Sequence, residues 1–390
     1  MKFRNLMIFL LALALLPALP LPCAAVTGDG SAWHATRVGD AEYLPLEDLR
    51  SFYKFIPVEG AAGTRSIGNG EVTLTFGPDA RDLLFNGIRC RLSRPTRDGG
   101  HGDLLVSKAD LVKLIDPVLR PTYIPNRHAI RTVVVDAGHG GHDVGTVSPY
   151  VREADATLLV AVALGRELSK RGFQVVYTHE DNRYLSDQQR VDAANAAQDA
   201  IFVSLHLNSG RSDTSGVETY TVEPAAPSPD AKLLPGNRND AANAALAMAL
   251  QASLVRRCGA ADGGLRRARY SILSSVECPA ALVELGYATN KDEGSLLSTQ
   301  EYRDTLAKAL AEGIATFAKM TDPATELQAR ETPAAAPAPP AAVKPAAPAP
   351  VKPAATTKNK PAKASGATRS TPRRNATGKN KPAPAARKAR

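Results

Sequence analysis

Cysteine, tryptophan and long apolar runs are scarce in this 390-residue chain. It holds four Cys and one Trp, and aromatics make up 5% of it. If a leader is removed after Ala25, Cys23 goes with it and leaves Cys90, Cys258 and Cys278. Three cysteines in this length exclude a disulfide scaffold, and none has the CxxC spacing of a thiolate metal site. A Cys258–Cys278 bridge and a set of buried small apolar thiols both stay open. Leu6 to Leu16 is an unbroken apolar run, too short to span a bilayer comfortably. No later segment is long and apolar enough to be a transmembrane candidate.

An excess of positive charge is missing from most of the chain, although the net charge is +9. From Pro323 onward there are 14 Lys or Arg against two acids, which leaves 34 basic and 37 acidic residues elsewhere. The high pI therefore belongs to the tail, and the remainder lacks the basic footprint of a nucleic-acid binder. Overall apolar content is ordinary for a globular protein, and the length predicts two or three units.

The first residues have the layout of an export signal. Lys2 and Arg4 precede the apolar run, prolines at 17, 20 and 22 break it, and Cys23-Ala24-Ala25 offers small residues for cleavage. Residues 1–25 are thus expected to be a signal peptide, with the mature chain starting near Val26. That places the protein in the periplasm, the cell wall or the extracellular space. A retained anchor is the alternative. Lipidation of Cys23 is opposed by Pro22.

Three regions follow. Residues 26–125 read as a small α+β domain, with a strand at Val72–Phe76 and helices at Asp48–Phe55 and Lys108–Ile115. Their pattern faintly resembles the amine-oxidase N-terminal-like module. No cluster of chemical residues stands out there, and His101 reads as a solvated loop residue. Residues 130–320 alternate strands and helices. Strands are expected at Thr132–Asp136, Phe173–Thr178, Ala200–Leu205, Gly216–Val222 and Ala280–Leu285. Helices are expected at Ala154–Arg171, Asp187–Ala197, Asp240–Arg257 and Tyr302–Lys319. This order predicts an α/β fold: an open mixed, mainly parallel sheet with helices on both faces. Between Val222 and Asn243 lies a Pro- and Asn-rich loop too short and polar for a substantial helix. Residues 323–390 are rich in Pro, Ala and Lys, cannot bury enough apolar surface to fold, and read as a disordered basic tail.

Chemistry should gather beyond the carboxyl ends of the strands. Val133–Val135 runs into Asp136-Ala137-Gly138-His139-Gly140-Gly141-His142-Asp143, where glycines let the chain turn and bring an imidazole into the open. His206 ends a later strand, Glu284 a third, and Glu153 opens the helix after the first. Two imidazoles and a carboxylate suit zinc with one position left for water, and the other carboxylate can act as general base and acid. Each His alone has a plainer reading as a hydrogen-bonded loop residue.

Five ordered segments now form a recognisable pattern: Val133–Gly141, Glu153–Leu158, Ser204–Asn208, Ser215–Tyr220 and Ala281–Asn290. In these, the stretch from about Arg131 to Thr316 resembles the zinc-dependent N-acetylmuramoyl-L-alanine amidases of the type-3 family. The resemblance implies that His139, Glu153 and His206 hold Zn2+ and that Glu284 activates water and passes its proton to the leaving amine. It implies peptidoglycan as substrate, cut between N-acetylmuramic acid and L-alanine, and a hairpin following the His206 strand. His142 stands where Lys or another polar residue is usual and reads as a solvent-facing loop residue, with an extra ligand or substrate contact as the alternative. Thr157 replaces a common Asn, which puts a supporting hydrogen bond in question. His179-Glu180-Asp181 departs from the usual pattern at a substrate-side contact.

Two rival readings share these residues: a related zinc peptidase acting on another amide, and a wall-binding protein without catalysis. Retention of all four chemical residues argues against the second. The tail reads either as a solvated spacer or as a binder of anionic wall polymers, phospholipid surfaces or nucleic acid. The small N-terminal domain is open as a device that positions the protein on the wall or at a division complex. The need for a protein activator is also open.

Overall fold

The computed structural model describes residues 33–224 and 233–325. The leader, residues 225–232 of the Pro- and Asn-rich loop and the tail from residue 326 lie outside the described residues, and so do the expectations made for them. Within that loop, Pro235–Asn239 forms a short 3-10 helix.

Thr132–Ala137 is buried along its whole length, as its run of valines requires of a strand covered on both faces. We number it β10. It pairs in parallel with β11 (Gln174–Tyr177) on one side and β12 (Ala200–Asn208) on the other. β12 then pairs in parallel with β15 (Ala280–Tyr287). β15 is followed in the sheet by β13 (Val217–Val222), antiparallel to it, and by β14 (Asp262–Ala268), parallel to β13. The sheet is therefore mixed and mainly parallel in this region, as expected. The hairpin expected after the His206 strand does not form. The place beside β12 is taken by β15, whose apolar run pairs there in parallel, and β13 lies one strand further out.

Alternation along each strand sends successive side chains to opposite faces. Val133, Val135, Ile201, Val203, Leu205, Val283 and Leu285 point to one face. There they meet α4 (Glu153–Ser169), α6 (Asp240–Cys258) and α9 (Gln300–Thr321). Val134, Phe202 and Leu282 point to the other, beneath α5 (Asp187–Ala196) and the short α7 (Ser271–Ser275). α8 (Lys291–Leu297) follows β15, and the side chain of Asn290 caps its first turn. Gly259, in the left-handed conformation at φ 62, ends α6.

The N-terminal region contributes to both sheets of the fold. β1 (Thr36–Val38), β2 (Ala41–Pro45), β8 (Arg97–Gly100) and β9 (Asp103–Ser107) make a four-stranded sheet in the order β1-β2-β9-β8. β3 (Ile56–Val58), β4 (Arg65–Gly68), β5 (Thr73–Phe76), β6 (Asp82–Phe85) and β7 (Ile88–Arg91) form an antiparallel meander. The meander extends the large sheet through a bridge between Cys90 of β7 and Leu265 of β14. α1 is Leu46–Phe52. Lys108–Leu119 is helical but irregular: α2 (Lys108–Asp110), a π-helical stretch at Leu111–Ile115, and α3 (Asp116–Leu119). Asp110 is buried at the junction, where it accepts from Ser93 N–H at 2.8 Å and from Arg267 of β14 at 3.3 Å. β14 is thus fastened to the N-terminal region from behind.

His101 is exposed in a turn, as expected of a solvated loop residue. Cys90, Cys258 and Cys278 are all free thiols, so the Cys258–Cys278 bridge left open by the sequence is not formed. Among the described residues no helix is long and apolar enough to cross a membrane.

Candidate metal centre

The loop after β10 carries His139 in the left-handed region at φ 67, a costly conformation for a residue with a Cβ. A buried ion pair holds it there. Asp136 accepts from Arg190 Nη1, Thr178 Oγ1 and Ser204 Oγ, each at 2.7 Å. Arg190, which is buried on α5, also donates to the carbonyls of Ala137 at 2.6 Å and His139 at 2.8 Å. Neither Asp136 nor Arg190 was singled out from the sequence, because a helix residue far along the chain gives no local sign of such a partner.

His206 stands on β12, on the same sheet face as Asp136 and Glu284. Its ring centroid lies 4.9 Å from that of His139, with the planes at 77°. Glu153, 3% exposed at the start of α4, comes between them. Its Oε1 is 3.0 Å from His139 Nε2 and 3.1 Å from His206 Nδ1. The same carboxylate accepts backbone N–H groups from Leu207 at 2.9 Å and Thr146 at 2.8 Å. Asp143 orients the other side of the His139 ring, with Oδ2 2.9 Å from Nδ1.

One donor atom from each of His139, Glu153 and His206 falls within 4.8 Å of the others. Two imidazole nitrogens and a carboxylate oxygen form a set suited to a divalent metal. Glycine leaves room for it. A Cβ on Gly138 would meet the His206 ring at 2.5 Å, and one on Gly145 would meet His139 Cδ2 at 2.6 Å and Glu153 Oε2 at 2.7 Å. Electrostatics point the same way. Burial opposes a charged His139, yet the carboxylates of Glu153 and Asp143 raise it to about 9. Burial also works against charge on Glu153, but His139, His206 and the Leu207 N–H hold it well below the usual carboxylate range. The cluster favours positive charge in its midst, which a cation supplies.

Glu284 lies directly across from His206 in the β12–β15 pairing. Burial pushes its carboxyl up to about 7, against the opposing influence of His206. Its Oε2 is buried and has no hydrogen-bond partner among the described residues. A carboxylate oxygen left bare beside three metal-type donors is prepared to take a proton from a molecule yet to arrive.

The departures from the family pattern find places in this geometry. Thr157 donates to the carbonyls of Gly138 at 2.9 Å and Glu153 at 3.0 Å, so it ties the His139 loop to α4. His142 is exposed and packs against Tyr184 at 4.1 Å between ring centroids. His179 is buried against Thr178, with its Nδ1 3.1 Å from the hydroxyl. A further carboxylate carries no sequence signal beyond its place in the Ser215–Tyr220 segment. Glu218, 2% exposed on β13, accepts from Tyr220 at 2.7 Å, Asn208 at 3.1 Å and Tyr287 at 3.1 Å, and pairs with Arg266 at 2.9 Å.

An α/β sheet with two imidazoles and a carboxylate at its strand ends, beside an unbonded glutamate, is built as a metal-dependent hydrolase. The family profile described as N-acetylmuramoyl-L-alanine amidase matches residues 133–316. YqiI of Bacillus subtilis (strain 168) is 31% identical over 187 residues, which cover 48% of this chain and 84% of YqiI. LytC, an N-acetylmuramoyl-L-alanine amidase of the same organism, is 28% identical over 48% of this chain and 35% of its own length. The solved catalytic domain of CwlV, an N-acetylmuramoyl-L-alanine amidase from Bacillus (Paenibacillus) polymyxa var. colistinus, is 30% identical. It covers 47% of this chain and 96% of that domain, with a TM-score of 0.42. The chain belongs to the N-acetylmuramoyl-L-alanine amidase family.

Proposed function

We propose that this protein hydrolyses the amide between N-acetylmuramic acid and L-alanine in peptidoglycan, with zinc held by His139, Glu153 and His206 and with Glu284 as the catalytic base and acid. The observation that carries the reading is the buried, unbonded Oε2 of Glu284 on the sheet face shared with His206.

Zinc at this site would supply Lewis-acid chemistry to an otherwise unreactive amide. The protein supplies the proton path. Glu284 takes a proton from the attacking water as its oxygen bonds to the lactyl carbonyl carbon. The C–N bond then breaks, and Glu284 delivers that proton to the nitrogen of the departing alanine. Its raised pKa matches both halves of the task, since a carboxyl near neutrality can accept and return a proton. Asp143 keeps the His139 ring aimed, and the backbone donors on Glu153 keep that carboxylate from rotating.

The domain scheme of 26–125 and 130–320 assigns chemistry to the second region. The first shows no metal-type cluster among its described residues, and we assign it to positioning. An exported protein is what a wall substrate requires. The basic tail is assigned to charge-driven retention on anionic wall polymers or membrane surfaces. Deleting residues 323–390 should abolish salt-sensitive retention on sacculi, and equal retention of both forms would remove that assignment. A protein activator is compatible with the fold and is assigned no surface.

The test of the main reading is incubation of zinc-loaded protein with purified sacculi. Release of free stem peptides with intact glycan strands supports it. Cleavage of free peptides with sacculi left untouched would favour the zinc-peptidase reading instead.

A further inference from the structure

We infer that Arg266 recognises a free carboxylate on the second residue of the stem peptide, so that the enzyme discriminates between acidic and amidated peptides; this rests on the amidase reading above.

Arg266 shares the sheet face of Glu284. In register, Glu218 of β13 lies opposite Glu284 of β15, and Tyr220 of β13 lies opposite Arg266 of β14. α5 and α7 cover other parts of this face, while 43% of the Arg266 side chain is exposed. Its guanidinium is held by Glu218 Oε1 at 2.9 Å and by the Gly263 carbonyl, which accepts from Nε at 3.0 Å. No hydrogen bond engages Nη1 among the described residues.

The burial of Glu218 does not require this arginine. Its two oxygens already accept from Tyr287, Tyr220 and Asn208. The relation therefore runs the other way: a buried carboxylate fixes the plane of a half-exposed guanidinium. The pair as a whole is neutral, so what it presents is a set of aimed N–H donors, the form in which arginine binds a carboxylate. Tyr220 and Tyr270 stand edge to face with centroids 5.4 Å apart, and Tyr270 is 38% exposed, giving an apolar wall beside those donors. From the opposite side, the buried contact of Arg267 with Asp110 anchors the strand.

Distance selects the position recognised. Neighbouring strands lie about 4.8 Å apart, so a guanidinium leaning onto β13 stands about one strand spacing from Glu284. An extended peptide advances about 3.5 Å per residue. With the scissile nitrogen at Glu284, the alanine fills that gap, and a carboxylate on the next residue meets Nη1.

Two muramyl peptides, identical except that the second residue has its α-carboxyl free in one and amidated in the other, provide the test. For the zinc-loaded full chain, kcat/KM should favour the free acid by about ten-fold or more, expressed in KM rather than kcat. Arg266→Gln should bring the two within about two-fold, and Arg266→Lys should retain part of the preference. Discrimination below about two-fold by the unmodified protein overturns the inference without any variant, as does a preference that survives Arg266→Gln. If Arg266→Gln fails to fold, the unmodified protein and Arg266→Lys still decide. Failure to cleave either peptide would instead remove the amidase reading, and this inference with it.

Discussion

Glu218 and Glu284 stand opposite each other on adjacent antiparallel strands, one carboxylate saturated with donors and the other with an oxygen that is buried and bare. Facing acids on paired strands repel. Here the difference in their surroundings separates their work: Glu218 holds its neighbours, and Glu284 is left with unmet demand for a proton.

Glu284→Gln should retain metal yet lose about two to four orders of magnitude in turnover on sacculi. Metal analysis and peptide-release rates check this, and a variant with near-normal rates would take Glu284 out of its role.

The same substitution should stabilise the metal-free protein at alkaline pH. Below pH 4.5 the Glu284 carboxyl is protonated whether the chain is folded or not. Between 4.5 and about 7 the unfolded chain releases its proton first, so folding stability falls as pH rises, and above that the penalty is complete. Removing the charge should recover roughly 1–3 kcal/mol at pH 8 and almost nothing at pH 4. Denaturant melts of both metal-free proteins at the two pH values measure it. Equal differences at both would contradict the burial argument.

Gly138→Ala should damage metal binding without touching a donor atom. The added Cβ falls 2.5 Å from the His206 ring, which must move away. Zinc affinity should fall by about ten-fold or more, comparable to loss of a group that orients a ligand. Titration with a competing chelator reads this directly, and unchanged affinity would show that the ring is not confined as described.

Arg190→Met should destabilise the fold by about 3–5 kcal/mol, because Asp136 would remain buried without its partner. The carbonyl of His139 would lose its tether as well, so activity should fall further than stability alone explains. A melting temperature within error of the unmodified protein would refute this account.

Alkylation at pH 8 should be slow in the native state and complete at Cys90, Cys258 and Cys278 after denaturation without reductant. Cys90 is fully buried, and burial pushes Cys278 up to about 12 and Cys258 to about 11, so little reactive thiolate is available. Mass spectrometry counts the adducts. Protection of two cysteines in the denatured chain would reveal a bridge that the fold does not contain.

Much of the architecture was legible because strand and helix periodicities are local. Thr132–Ala137, the helix from Glu153 and the helices ending near Cys258 and Thr321 follow their apolar patterns closely. β14 escaped notice because Asp262-Gly263-Gly264 and Arg266-Arg267 conceal the strand signal; only Leu265 faces the core there. The hairpin expected after β12 is absent for a related reason, since chain order does not say which strand occupies the place beside β12.

Residue types were readable along the chain: histidines after glycine turns, glutamates at strand and helix ends, and a run of motifs that names a family. Side-chain chemistry and backbone preference reside in single residues and near neighbours, so they can be read in a line. It took the packed fold to bring His139, Glu153 and His206 within 4.8 Å, to brace the loop with Arg190 from a helix more than fifty residues away, and to carry Arg266 to the sheet face of Glu284. Those relations arise from strand order and register. Both are set by the burial of whole elements against one another, a sum over the chain that no local stretch contains.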